Sequence, residues 1–193
     1  MTAQMPAYEL GQRDLHAHVS TYKSQTNVHI RERLTGDDGK KRFTKRGLSL
    51  TLREWDALQA LFDFVTDQLA NYRVGESTPL YREIGNRGRR VTIKDYKEHL
   101  YVDIRNYFDA KNNGTLLPTC QGVTLTKTAW RNLIDHAILI NDDIRKTVKA
   151  ASEKEREQKE LESRKARLLQ AERRHANQPP TEWQEEPVLT MDL

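Results

Sequence analysis

The chain has a single cysteine, Cys120, so neither an intramolecular disulfide framework nor a Cys-based zinc site is open to it. A reducing compartment is the expectation. No apolar stretch approaches the ~18 residues of a membrane-spanning helix, and the opening residues MTAQMPAYELGQRD hold no hydrophobic signal core. A soluble, intracellular chain with no membrane partner is therefore expected. Also missing are a Gly-rich phosphate loop, paired catalytic carboxylates and a serine elbow. His16 and His18 would share one face of a strand, but no third metal ligand follows at a recognisable spacing, and Cys120 has no evident histidine partner. With no cofactor expected, the pattern reads as a binding protein and not as an enzyme.

What the chain does have is an internal repeat. Leu10-Gly11, Tyr22-Lys23 and Ile30-Arg31 recur as Ile84-Gly85, Tyr96-Lys97 and Ile104-Arg105, at a constant offset of 74 residues. Beyond the turns at Gly39 and Gly114 the offset is 75, and GLSLTLREWDAL (Gly47 to Leu58) aligns with GVTLTKTAWRNL (Gly122 to Leu133). One inserted residue in a turn accounts for the step, and the whole is a tandem duplication.

Each copy alternates β-branched and aromatic residues over short segments and then changes to helical spacing. In the second copy PLYREIG, RRVTIKDY and HLYVDIRNYF read as strands, AKNNG as a hairpin turn and GVTL as a fourth strand. Thr126 then stands at a helix N-cap ahead of Trp130, Leu133, Ile134, Ala137 and Ile138; in the first copy Thr51 and Glu54 have capping-box spacing before Trp55, Leu58, Leu61, Phe62 and Val65. The fold class is α+β, two tandem ββββα units. Each is too small to be comfortably stable alone, so the two are expected to pack as an intramolecular pseudo-dimer with their helices at the seam, Trp55 and Trp130 included. The expected division is 1–74 and 75–149 for the repeats, 150–176 for a charged helical extension and 177–193 for a disordered acidic tail. Strand parity places Val102 and Ile104 on one face and Tyr101, Asp103, Arg105 and Tyr107 on the other, with Val28 and Ile30 set likewise against Asn27, His29 and Arg31. Both arginines then lie on the open face, free for a ligand or for a competing salt bridge.

The order VTIKDYKEHLYVDIRNYF, a Gly-containing turn and GVTLTKTAW resembles the single-stranded-DNA-binding domain of the positive-cofactor-four family of transcriptional coactivators. The likeness covers about residues 8–73 and 80–149 and is stronger in the second copy. It implies a curved antiparallel sheet and a helix, two copies forming a β-saddle that family members assemble from two chains. This chain would supply both, as a monomer.

Carried over by position, the resemblance implies stacking aromatics at Tyr22 and Tyr96, adjacent lysines at Lys23 and Lys97, and strand arginines at Arg31 and Arg105. A second basic position becomes Gln25 in one copy and His99 in the other, and Lys94 joins the basic set. The second stacking aromatic is Phe108, but Leu34 stands there in the first copy. A basic turn before the fourth strand survives only in the first copy, as Lys40, Lys41, Arg42, Lys45 and Arg46, where the second has LLPTCQG. Either the two units divide the labour, phosphate contacts in one and stacking in the other, or one channel has drifted. Basic groups with aromatic platforms are what sequence-tolerant single-strand binding needs.

From Ile144 to Ala176 the chain has eleven basic and six acidic residues, no Gly or Pro, and opposite signs three and four apart, so it reads as a long helix continuing the second repeat. NQPPTEWQEEPVLTMDL breaks it and carries only acidic charge, either a solubilising tail or one that recruits transcription or replication proteins. Family coactivators usually carry a serine-rich acidic N-terminal region with no counterpart in these residues, which moves the weight from coactivation toward strand binding. The expected function is single-stranded DNA binding in transcription, replication or repair. RNA stays open, since stacking does not sense the sugar, and so does a scaffold acting mainly through protein contacts. A nuclear location is expected, or cytoplasmic in a prokaryote or phage.

Overall fold

A computed structural model describes residues 6–23, 25–73, 80–85, 88–110 and 115–176. The linker at 74–79, most of the turn expected at 110–114 and the acidic tail lie outside them. The chain divides into two compact units, Met1–Ala151 and Ser152–Leu193.

The first unit holds both repeats, and they match element for element. β1 (Ala7–Glu9), β2 (Leu15–Tyr22), β3 (Gln25–Thr35) and β4 (Lys41–Thr51) form an antiparallel sheet in chain order, followed by α1 (Leu52–Gln59) and α2 (Phe62–Asn71). β5 (Tyr81–Glu83), β6 (Arg89–Tyr96), β7 (His99–Asp109) and β8 (Leu116–Thr126) form a second such sheet, followed by α3 (Lys127–Asp135) and α4 (Ala137–Ala176). The α+β class and the two ββββα units are as the periodicity predicts. Registers repeat as well: Ala17 faces Ile30 and Val28 faces Leu50, as Val91 faces Ile104 and Val102 faces Leu125. These residues are buried, so one face of each sheet is core and the other is open.

Three details depart from the sequence reading. The basic segment Lys41–Arg46 is the first half of β4 and not a turn before it, and LLPTCQG likewise begins β8. Each fourth strand is thus eleven residues long and kinks across a bulge, between Arg31 and Arg33 in one sheet and between Arg105 and Tyr107 in the other. At the first bulge the strands come so close that a Cβ on Gly47, whose φ is +127°, would lie 2.1 Å from the Ile30 carbonyl oxygen. Finally, each helix expected as continuous is broken by a tight turn. Leu61 N–H donates to Leu58 O at 3.0 Å, and the His136 N–H closes the corresponding turn onto Asn132 O at 3.0 Å. The break lets α1 cover its own β3 and β4 while α2 crosses to β6 of the other repeat.

The capping predictions hold in detail. Thr51 accepts from the Glu54 N–H at 3.3 Å while Glu54 Oε2 accepts from the Thr51 N–H at 2.8 Å; Thr126 accepts from Ala129 N–H at 3.1 Å with no reciprocal partner.

The helices form the seam, joined by matched polar contacts. Trp55 Nε1–H donates to Asn141 Oδ1 at 2.7 Å, and Trp130 Nε1–H to Thr66 Oγ1 at 3.2 Å; Thr66 and Asn141 are equivalent positions of the two repeats. Both indoles are buried, and Phe62 sets its ring edge-on to each, 6.1 Å from Trp55 and 5.4 Å from Trp130. The Gln12 side chain donates to Thr124 O at 2.9 Å and accepts from Thr126 N–H at 2.7 Å. On the opposite side Arg89 Nη1 donates to Ser49 O at 2.7 Å and to buried Glu54 at 2.9 Å. β4 and β8 run close across the seam without pairing. The pseudo-dimer is held by a buried indole core with polar contacts on its flanks.

In the second unit α4 is a solvated charged helix, with a Lys159–Glu155 pair at 2.7 Å and Leu161, Leu168 and Leu169 exposed. No described helix is long and apolar enough to cross a membrane.

Candidate nucleic-acid interface

Two aromatic tips stand at corresponding hairpins. Tyr22 ends β2 and Tyr96 ends β6, and they are 72% and 63% exposed, with their ring faces open to a stacking partner. The following lysines lie over them in the same geometry, Lys23 Nζ 5.5 Å from the Tyr22 centroid and Lys97 Nζ 5.4 Å from that of Tyr96. Both lysines have left-handed backbones, φ +48° and +50°, and Glu98 has φ +66°. A two-residue turn of this kind favours Asn-Gly; Lys-Glu there is strained, and strain of that sort concentrates at functional loops. His99 opens β7 beside Tyr96, exposed.

Further along β7 and β3, Phe108 is 48% exposed, and its counterpart Leu34 50%; by parity both continue the side that carries Val102 and Ile104 or Val28 and Ile30, opposite Arg105 and Arg31. On β4, Arg42 pairs with Asp38 at 2.6 Å and Arg46 with Glu32 at 3.6 Å; Lys40 lies in the turn before, and Lys41 and Lys45 are exposed.

The two strand arginines have different surroundings. Arg105 is held by Asp103, through Nη2 at 3.0 Å and Nε at 3.1 Å, and donates to Thr119 O at 2.8 Å. Asp103, 1% exposed, also accepts from Lys94 Nζ at 2.7 Å and from Thr124 Oγ1 at 2.7 Å. Burial alone would raise its pKa, but the hydrogen bonds from Arg105, Lys94 and Thr124 outweigh it and hold the carboxyl below its ordinary range. Arg105 is thus engaged by a salt bridge within its own strand, and one buried charge offsets two cations. In the first repeat His29 takes the place of Asp103, and among the described residues no carboxylate pairs with Arg31, whose Nε is buried without a hydrogen-bond partner.

Between the repeats lies a groove of about 470 Å³. The second repeat lines it with Tyr96, Tyr101 and Arg105, the first with Arg13, Glu32 and Arg46. Tyr96 of one copy and the basic end of β4 from the other therefore meet at one cleft. Tyr101 was legible from strand parity; Arg13, in a turn at φ +45°, gave no sequence signal. Among the described residues no group of three or more His, Cys, Asp or Glu side chains is placed to hold a metal ion.

A model of the family described as Transcriptional Coactivator p15 (PC4) matches residues 11–61 and 83–136, one match in each repeat. The chain belongs to this family. A Caenorhabditis elegans protein named "Putative RNA polymerase II transcriptional coactivator" is 38% identical over 53 residues, which is 28% of this chain and 42% of that protein. The chain thus aligns with less than half of that relative. The family assignment agrees with the resemblance carried by the two strand-and-helix copies, and the relative's name points to coactivation, the role to which the sequence reading gave less weight. In this tandem member of the p15 family, the open sheet faces and the cleft between the repeats carry the exposed aromatic and basic residues described above.

Proposed function

We propose that the chain binds single-stranded DNA in the cleft between its repeats and acts through that binding in transcription in the nucleus. The observation that carries the reading is the exposed Tyr96–Lys97 tip beside a groove edged by arginines of both copies. Unpaired bases stack on such rings, and phosphates take the cations that flank them. The proposed contacts are Tyr96, Lys97, His99, Arg105, Phe108 and Lys94 from the second repeat, Arg46 and the exposed Lys40, Lys41, Arg42 and Lys45 from the first. Tyr22, Lys23 and Arg31 line the corresponding path on the other side. Since β4 of the first repeat edges the groove that holds Tyr96, the two copies divide phosphate and base contacts within one channel.

The test is fluorescence anisotropy of labelled oligo-dT and its duplex counterpart over a salt series, with wild type and Tyr96→Ala/Phe108→Ala. Each stacked base contributes about 1–3 kcal/mol, so the double variant should lose at least about tenfold in single-strand affinity. Affinity should fall steeply with salt. Equal binding to duplex and single strand, insensitive to the two substitutions, would turn the reading toward a protein scaffold.

A further inference from the structure

The open face of the first sheet carries a cluster that shares Arg31, Lys41 and Lys45 with the proposed strand contacts but whose histidines, Phe43 and Arg33 that reading does not use. His18 and His29 face each other across β2 and β3 with rings stacked 4.8 Å apart. Phe43 reaches over from β4 and stacks on His18 at 3.8 Å, with His16 edge-on to it at 6.5 Å. Arg33 lies 5.5 Å above the Phe43 ring, and Arg31 faces His16 across the strands. Six buried side-chain polar atoms among the described residues have no hydrogen-bond partner, and four of them are here: His18 Nδ1, His29 Nδ1, Arg31 Nε and Arg33 Nε. Each such atom costs about 1–3 kcal/mol, so their concentration on one face is a standing penalty that a ligand would relieve.

The electrostatics give the sign of that ligand. Around the cluster stand His16 on β2, Arg31 and Arg33 on β3, and Lys41 and Lys45, which share the parity of Phe43 on β4. The carboxylates nearby are Glu9, opposite His16 on β1, Asp14 in the turn, and Glu32, which is paired to Arg46. Burial first, then the charges of neighbours led by His29, push His18 down to about 3; burial and Arg31 push His29 to about 4. Both imidazoles are neutral in the free protein near pH 7.

We propose that this face is a proton-coupled oxyanion site, in which a phosphate group takes fork-like hydrogen bonds from Arg31 and Arg33 while His18 or His29 gains a proton. The guanidinium forks are geometrically suited to a tetrahedral oxyanion. A negative charge arriving beside the rings favours their charged form, so binding takes up protons and tightens as pH falls. The phosphate comes either from a bound strand, in which case the inference rests on the function proposed above, or from a free phosphate compound.

The experiment is an NMR titration of histidine-labelled full-length protein with inorganic pyrophosphate between pH 7.5 and 5.5. Pyrophosphate should move the His18 and His29 resonances, with affinity rising by up to about tenfold per pH unit, up to about a hundredfold over the range, for each proton taken up. Arg31→Gln/Arg33→Gln should lose at least tenfold. His29→Asp, which installs the residue of the second repeat and pairs Arg31, should do the same while remaining folded by circular dichroism. Resonances unmoved by pyrophosphate, or moved equally in the arginine variant, would overturn the proposal. Oligo-dT displacing pyrophosphate identifies the strand as the source, and failure to displace it identifies a free phosphate compound. Absence of any oligo-dT binding would sink the strand-binding reading, while the pyrophosphate result still decides this one.

Discussion

Replacing Asp103 by Asn should move stability and single-strand affinity in opposite directions. The carboxylate is 1% exposed and accepts from Lys94, Arg105 and Thr124 at 2.7–3.1 Å. Removing one partner of a buried ion pair costs about 3–5 kcal/mol; Lys94 and Arg105 keep a path to water, which lowers the expected loss to about 2–3 kcal/mol. The same change leaves two cations where the net charge had been one. A further unit of charge near a phosphate in high dielectric is worth about 1 kcal/mol, about fivefold in affinity at low salt. The slope of log affinity against log salt should steepen by about 0.7 for single strands. Urea denaturation gives the first quantity and oligo-dT anisotropy over a salt series the second. A variant that loses stability and also loses affinity would refute the reasoning, because it would mean that Arg105 serves the ligand only when Asp103 holds it in place.

Acid should destabilise the first repeat through its histidines. His18 near 3 and His29 near 4 lie below the unfolded value of about 6.5, so between those limits the unfolded chain binds more protons than the native one. Stability is then complete above about pH 6.5 and falls as pH drops toward 4, by about 3 kcal/mol for the pair after allowing for the part of each ring that stays in water. His18→Thr/His29→Asn should flatten that fall in thermal melts, and a profile parallel to wild type would count against it. At the seam, Trp55→Phe leaves Asn141 Oδ1 without its donor, whereas Thr66, the partner of Trp130, keeps its own bond to Phe62 O at 2.7 Å. Trp55→Phe should therefore cost about 1 kcal/mol more than Trp130→Phe in denaturant titrations. Gly47→Ala, with its Cβ driven into the Ile30 carbonyl, should lose about 3 kcal/mol or more, and an unchanged midpoint would show that β4 can shift away.

Much of this fold was legible because the decisive signals are local or repeated. The 74-residue offset marks the duplication, parity at Val102 and Ile104 separates core from open face, and Thr51 with Glu54 marks a helix start. The first half of β4 was not, since Lys41–Arg46 holds one apolar residue, Phe43, and a strand half with no buried residue needs no alternation. The helix breaks are invisible because Leu58-Gln59-Ala60-Leu61-Phe62 has good helix formers throughout, and only the demand to cover two different sheets interrupts them. At the interface, alternation put Asp103 and Arg105 on the same face, but the burial of that carboxylate depends on Lys94 and Thr124 from neighbouring strands. The histidine cluster was half visible: His16 and His18 share a face by spacing alone, while His29 and Phe43 join them only through strand register.

Phe62 lies between the two seam indoles, and the equivalent position of the second repeat is Ala137. In an assembly of two identical chains a phenylalanine on one side would have to appear on both, and two rings would compete for one space on the axis. Covalent fusion removes that constraint, because each half can change without its twin. Large against small at Phe62 and Ala137, and histidine against aspartate at positions 29 and 103, are substitutions that a symmetric pair is forbidden to make separately.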